Sequence, residues 1–178
     1  MEYVKFIFAT WFGSGFLPPV LGLKQMGGTW GSLAALPLCL ALLWIGSPYV
    51  YAVIVLIVYA IGIYSIPQAE LMISAIGPYM NGGKWKNRDQ NQIVIDEVLG
   101  MLIAFGPVIG EPVDWRIILI GLLAFRLFDI TKPPGVRYFD NLKNPNGVML
   151  DDYVAGCYAA CIVSLARFIG TDLDLAAR

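Results

Sequence analysis

Residues 48–66, PYVYAVIVLIVYAIGIYSI, run without one charged side chain. A helix needs about 20 such residues to cross a ~30 Å hydrocarbon layer, and inside that layer every backbone N–H and C=O must bond within the element. Comparable apolar stretches run from about Trp30 to Ile45, Ile93 to Ile109, Trp115 to Ile130 and Val148 to Ile169. Charged residues are 14% of the chain and hydrophobic ones 58%, with mean hydropathy +0.68; soluble domains carry about 25% charged residues. The expectation is an all-α fold, a polytopic transmembrane helix bundle of about five spans forming one domain over 1–178. The N-terminal MEYVKFIFATWFGSG lacks the positive net charge and small-residue cleavage site of a signal peptide. It reads as an amphipathic or half-inserted helix ending near Gly13 to Pro18.

Composition removes several chemistries. A net charge of −1 provides no basis for binding nucleic acid. The absence of histidine excludes the usual general base, the phosphohistidine route and the commonest zinc ligand. Cys39, Cys157 and Cys161 all lie in apolar stretches and suggest no disulfide framework. Cys161 and Arg167 match the C-x5-R spacing of cysteine phosphatases, but a phosphate cradle needs turned backbone, and the residues between them read as helix.

Lys and Arg set the expected orientation. Lys5 and Lys24, then Lys84, Lys86 and Arg88, then Lys132, Arg137 and Lys143 fall on one side of a five-span chain. That side is expected to be cytoplasmic. Arg116, Asp172, Asp174 and Arg178 fall on the other.

The ionisable residues near the spans are not scattered. Asp96 and Glu97 open the third, Arg126 and Asp129 close the fourth, Asp151 and Asp152 open the fifth, and Thr29 and Ser32 begin the first. Antiparallel packing brings all these ends to one membrane face. Each has an ordinary reading alone: Asp151 as an N-cap, Arg126 and Asp129 as an i, i+3 packing pair. Together, five carboxylates at one depth repel unless a cation or protons join them. Oxygen ligands without His or Cys suit a hard ion such as Mg²⁺. Arg126, Lys132 and Arg137 beside such an ion suggest a phosphate group. GGTWGS (27–32) adds a Gly-rich turn with the hydroxyls of Thr29 and Ser32, and KPPGVR a rigid turn between two cations, which also suits anchoring at anionic lipid heads.

IDEVLGM (95–101), FRLFDITKPPGVRYFD (125–140), GVMLDDYVAG (147–156) and GTWGSLAALP (28–37) together closely resemble the phosphatidylglycerophosphatase A family over about residues 10–170. The chain departs from that pattern at Gly135, where a second proline is usual, and in the longer approach LGLKQMGG. The resemblance implies Mg²⁺-dependent hydrolysis of phosphatidylglycerophosphate to phosphatidylglycerol and inorganic phosphate at the bacterial inner membrane. The expected metal ligands are Glu97, Asp129, Asp151 and Asp152. Arg126, Lys132, Arg137, Thr29 and Ser32 are expected to bind the phosphate, and Asp96, Asp129 and Asp152 to carry the chemistry. Two rivals remain at this point. A CDP-alcohol phosphotransferase lacks its usual D-G-x2-A-R spacing here, and a cation carrier would place polar residues toward both faces. Oligomeric state is not legible.

Overall fold

The computed structural model describes residues 2–23, 26–76 and 91–176, and among them every regular element is a helix. In chain order these are α1 (Glu2–Ala9), α2 (Leu17–Val20), α3 (Gly27–Ile45), α4 (Pro48–Ile76), α5 (Ile95–Phe105), α6 (Trp115–Thr131), α7 (Pro134–Asp140) and α8 (Pro145–Ala176). Short 3₁₀ turns occupy Ser14–Phe16 and Gly106–Val108. The expected positive residues Lys24, Lys84, Lys86, Arg88 and Arg178 lie outside the described residues.

Local chemistry sets the boundaries. Gly46 takes a left-handed φ of 66° and ends α3, and Pro48 starts α4. The Asp114 carboxylate accepts the Arg116 N–H at 2.8 Å and caps α6. Asn144 Oδ1 accepts the Gly147 N–H at 2.8 Å and caps α8, with Pro145 at its first position. Asp151 therefore lies almost two turns inside α8, not at its cap. Pro133 and Pro134 do end α6, but Pro134 also begins α7, so KPPGVR is the entry to a short helix rather than only a turn.

Three described helices, α3, α4 (to Ala75) and α8 (to Gly170), are long and apolar enough to cross a membrane. The expected count of about five is not reached among the described residues. α5 has 11 residues, about 16 Å at 1.5 Å per residue, and α6 has 17. The apolarity of α5 has another cause. Ile95, Val98, Leu99, Met101, Leu102, Ala104 and Phe105 are all buried by protein. Hydropathy does not distinguish a helix enclosed by other helices from one enclosed by lipid.

α5 is thus the central post, packed by α3, α4, α6 and α8. Tyr51 on α4 donates its hydroxyl to the Leu102 carbonyl at 2.6 Å. The N-terminal segment is tied to the same assembly. Ala9 accepts the Val94 N–H at 3.0 Å, Trp11 Nε1 donates to Ala34 O at 3.0 Å, and Lys5 Nζ lies 3.8 Å from the Tyr64 ring centroid. α1 has eight residues, too few to cross a bilayer.

Candidate active site

The site begins with a close crossing. A Cβ on Gly156 of α8 would lie 2.5 Å from the Gly100 carbonyl of α5, and a Cβ on Gly100 would lie 2.8 Å from Asp152 O. Only glycine lets these two backbones touch. One turn toward the N-terminus of each helix, the contact brings Asp96 and Glu97 of α5 beside Asp152 of α8. Carboxylate oxygens of these three residues lie within 4.8 Å of one another, a spacing that can hold a metal ion. The Asp129 carboxylate of α6 stands near enough to repel that of Asp152. Carboxylates this close need a proton or a cation between them. Glu97 Oε2 is buried without a hydrogen-bond partner, and an orphaned buried oxygen calls for a ligand. The donor set is all oxygen, which fits a hard divalent ion.

Arg126 packs behind the cluster, beside Asp129, and is not among the residues that line the acidic cavity. Its Nη1 lies 2.7 Å from Asp129 Oδ2. That is ion-pair distance, yet Nη1 and Nε are both buried and make no aligned hydrogen bond. These N–H groups have no hydrogen-bond acceptor among the described residues. Gly28 makes space for the guanidinium, because a Cβ there would lie 2.6 Å from both Arg126 Nη1 and Glu97 Oε1. The expected Gly-rich turn is instead the first two turns of α3, and its glycine admits the site's side chains. Ser32 Oγ donates back to Gly28 O at 2.8 Å. Neither Ser32 nor the half-buried Thr29 lines the acidic cavity.

The opposite wall is built on α7. Lys132 Nζ donates to Asp140 Oδ1 at 2.5 Å and to Asp151 Oδ2 at 3.2 Å. Burial works against its ammonium, but the hydrogen bond to Asp140 and the Asp151 charge outweigh it and hold its pKa above the ordinary lysine value. Asp151 Oδ1 accepts the Asp152 N–H at 3.0 Å. The adjacent aspartates therefore divide: Asp152 joins Asp96, Glu97 and Asp129, while Asp151 fixes Lys132. Arg137 is exposed on α7 and does not line the cavity.

Between the walls is a cavity of about 70 Å³, room for a few waters or a small anion. Its lining brings together the expected Asp96, Glu97, Asp129, Lys132, Asp151 and Asp152. It adds Glu70, Asp140, Lys143 and Asn144, which sequence reasoning missed. Glu70 had a signal, as the first charge after a long apolar run on α4. Asp140 stood within the quoted α6–α7 motif, but nothing in its spacing predicts the bridge through Lys132.

A family model described as Phosphatidylglycerophosphatase A matches residues 7–167. A Haemophilus influenzae protein named phosphatidylglycerophosphatase A is 31% identical over 163 residues, 91% of this chain and 88% of that one. An Escherichia coli protein of the same name is 32% identical over 166 residues, 92% and 82% of the two chains. A Bacteroides thetaiotaomicron protein, provisionally named a phosphatidylinositol-3-phosphatase, is 32% identical over 174 residues, 94% and 96%. No solved structure matches the chain.

Proposed function

The chain belongs to the phosphatidylglycerophosphatase A family, and on that premise we propose that it is a Mg²⁺-dependent phosphoric monoester hydrolase that removes the terminal phosphate of phosphatidylglycerophosphate. The observation carrying this reading is the Asp96–Glu97–Asp152 cluster, with its orphaned Glu97 Oε2, in one cavity with Lys132. Cation ligands and anion donors at one cavity are what a metal-dependent phosphatase requires.

Asp96, Glu97 and Asp152 would hold the ion. When bound, Mg²⁺ supplies charge neutralisation and polarises the phosphoryl oxygens. Arg126 and Lys132 bind those oxygens, and the Asp140 and Asp151 contacts keep Lys132 aimed and charged. Asp129, between Arg126 and Asp152, takes the proton of the attacking water. The new P–O bond forms to that water oxygen, the ester P–O bond breaks, and the glycerol oxygen leaves with the proton that Asp129 took up. The products are phosphatidylglycerol and inorganic phosphate. The apolar helices support a membrane location. The cations at the α6–α8 end support a cytoplasm-facing site in the bacterial inner membrane.

The test is phosphate release from phosphatidylglycerophosphate by purified protein in neutral detergent. Release should stop with EDTA and return with Mg²⁺. Release that persists undiminished in EDTA would overturn the metal assignment, and no release under any metal condition would overturn the substrate.

A further inference from the structure

Lys132 and Lys143 flank α7, and both have left-handed backbone, with φ 45° and 51°. Such conformations are strained for a side-chain-bearing residue. Glycine or asparagine would meet the turn more easily. Both lysines nonetheless line the same acidic cavity, one at each end of a seven-residue helix. They differ in depth. Lys132 is half-buried and fixed by Asp140 and Asp151, whereas Lys143 is exposed at the cavity edge.

This arrangement matches a feature of the substrate proposed above, on which the inference rests. Phosphatidylglycerophosphate carries two phosphates joined through a three-carbon glycerol: a terminal monoester, which is cleaved, and a diester, which is kept. We infer that Lys143 is a specificity-determining residue that binds the retained phosphodiester while the monoester occupies the inner cavity beside Lys132. α7 then sets the spacing between the two cations, and the left-handed corners turn both side chains toward one cavity. The ordering fits a membrane substrate, with the diester, nearer the acyl chains, meeting the outer lysine. A lysine serving only the turn would be replaceable by glycine at no loss. A lysine reading a second anion would not.

Lys143→Gln, Lys143→Gly and Lys143→Arg separate these roles. Steady-state kinetics are measured in neutral detergent micelles at saturating Mg²⁺. Phosphatidylglycerophosphate is compared with phosphatidic acid, which has the same tails and a terminal monoester but no diester. Gln and Gly should each raise KM for phosphatidylglycerophosphate roughly tenfold, the scale of one charge-assisted hydrogen bond, with kcat largely retained. Arg should restore KM. Phosphatidic acid, followed as a substrate or as a competitor, should change by less than about twofold in KM or inhibition constant in the Gln and Gly variants.

An unchanged KM for phosphatidylglycerophosphate in Gly and Gln would overturn the inference. So would an equal weakening of both lipids, which marks general attraction to anionic surfaces, or a failure of Arg to restore KM. A wild-type protein that releases no phosphate from phosphatidylglycerophosphate overturns the parent reading instead, so the two failures are distinguishable.

Discussion

Gly156 of α8 rests on the carbonyl oxygen of Gly100 of α5, leaving no room for a side chain between them. Neither backbone can yield locally. Gly156→Ala should separate the helices and cost about 1–3 kcal/mol, as overpacking of a tight core does. It should also move Asp152 away from Asp96 and Glu97. Denaturation in detergent checks the first effect. Phosphate release at a temperature where the variant is fully folded checks the second, and wild-type turnover there would show that the crossing does not align the site.

Asp152 belongs to the cluster that would hold the ion, and Asn keeps its shape while removing its charge. Asp152→Asn should lower turnover by more than about 100-fold, the upper range for losing even an outer partner of a metal. Helix content by circular dichroism should stay at the wild-type value. Near-normal turnover would remove Asp152 from the assignment.

Lys132 yields a prediction about pH. Its folded pKa is raised by Asp140 and Asp151 against burial. The stabilisation it provides is therefore fully present below the ordinary lysine pKa of about 10.4. It is lost only as pH rises through the higher folded value. Thermal stability and turnover should show no loss assignable to Lys132 below about pH 10. Lys132→Met should remove turnover and lower stability at neutral pH, where Asp140 and Asp151 would face each other without a cation. An alkaline limb of thermal stability near pH 8 that disappears in Lys132→Met would contradict this.

Cys161 is exposed on the continuous helix α8, and Arg167 pairs with Glu111 at the far end of the bundle. The C-x5-R spacing therefore forms no phosphate cradle. Cys161→Ser should keep wild-type turnover, and its complete loss would restore a cysteine mechanism.

The site was legible where local spacing carries it. Asp96 and Glu97 do stand in the first turn of α5, and Arg126 does meet Asp129 at i, i+3. Asp151 and Asp152, both expected to hold the metal, turn to different partners. What was not legible depends on packing between distant segments. Asp151 resembled a cap because Asn-Pro-Asn-Gly at 144–147 reads as a turn, whereas the helix already begins at Pro145. Pro133 and Pro134 signalled a stop, and the same rigid φ that ends one helix pre-organises the next. Glu70 and Asp140 reach the cavity through tertiary contacts that no periodicity encodes. The count of spans was set by hydropathy, and α5 is apolar because protein encloses it.

Beneath the carboxylates, α5 continues into Leu99, Leu102 and Phe105, each fully covered, and the far end is tied by Glu111 and Arg167. The cavity is a well with a greasy floor, not a passage. On the reading proposed above, the headgroup enters and the freed phosphate leaves through the same mouth, above that floor.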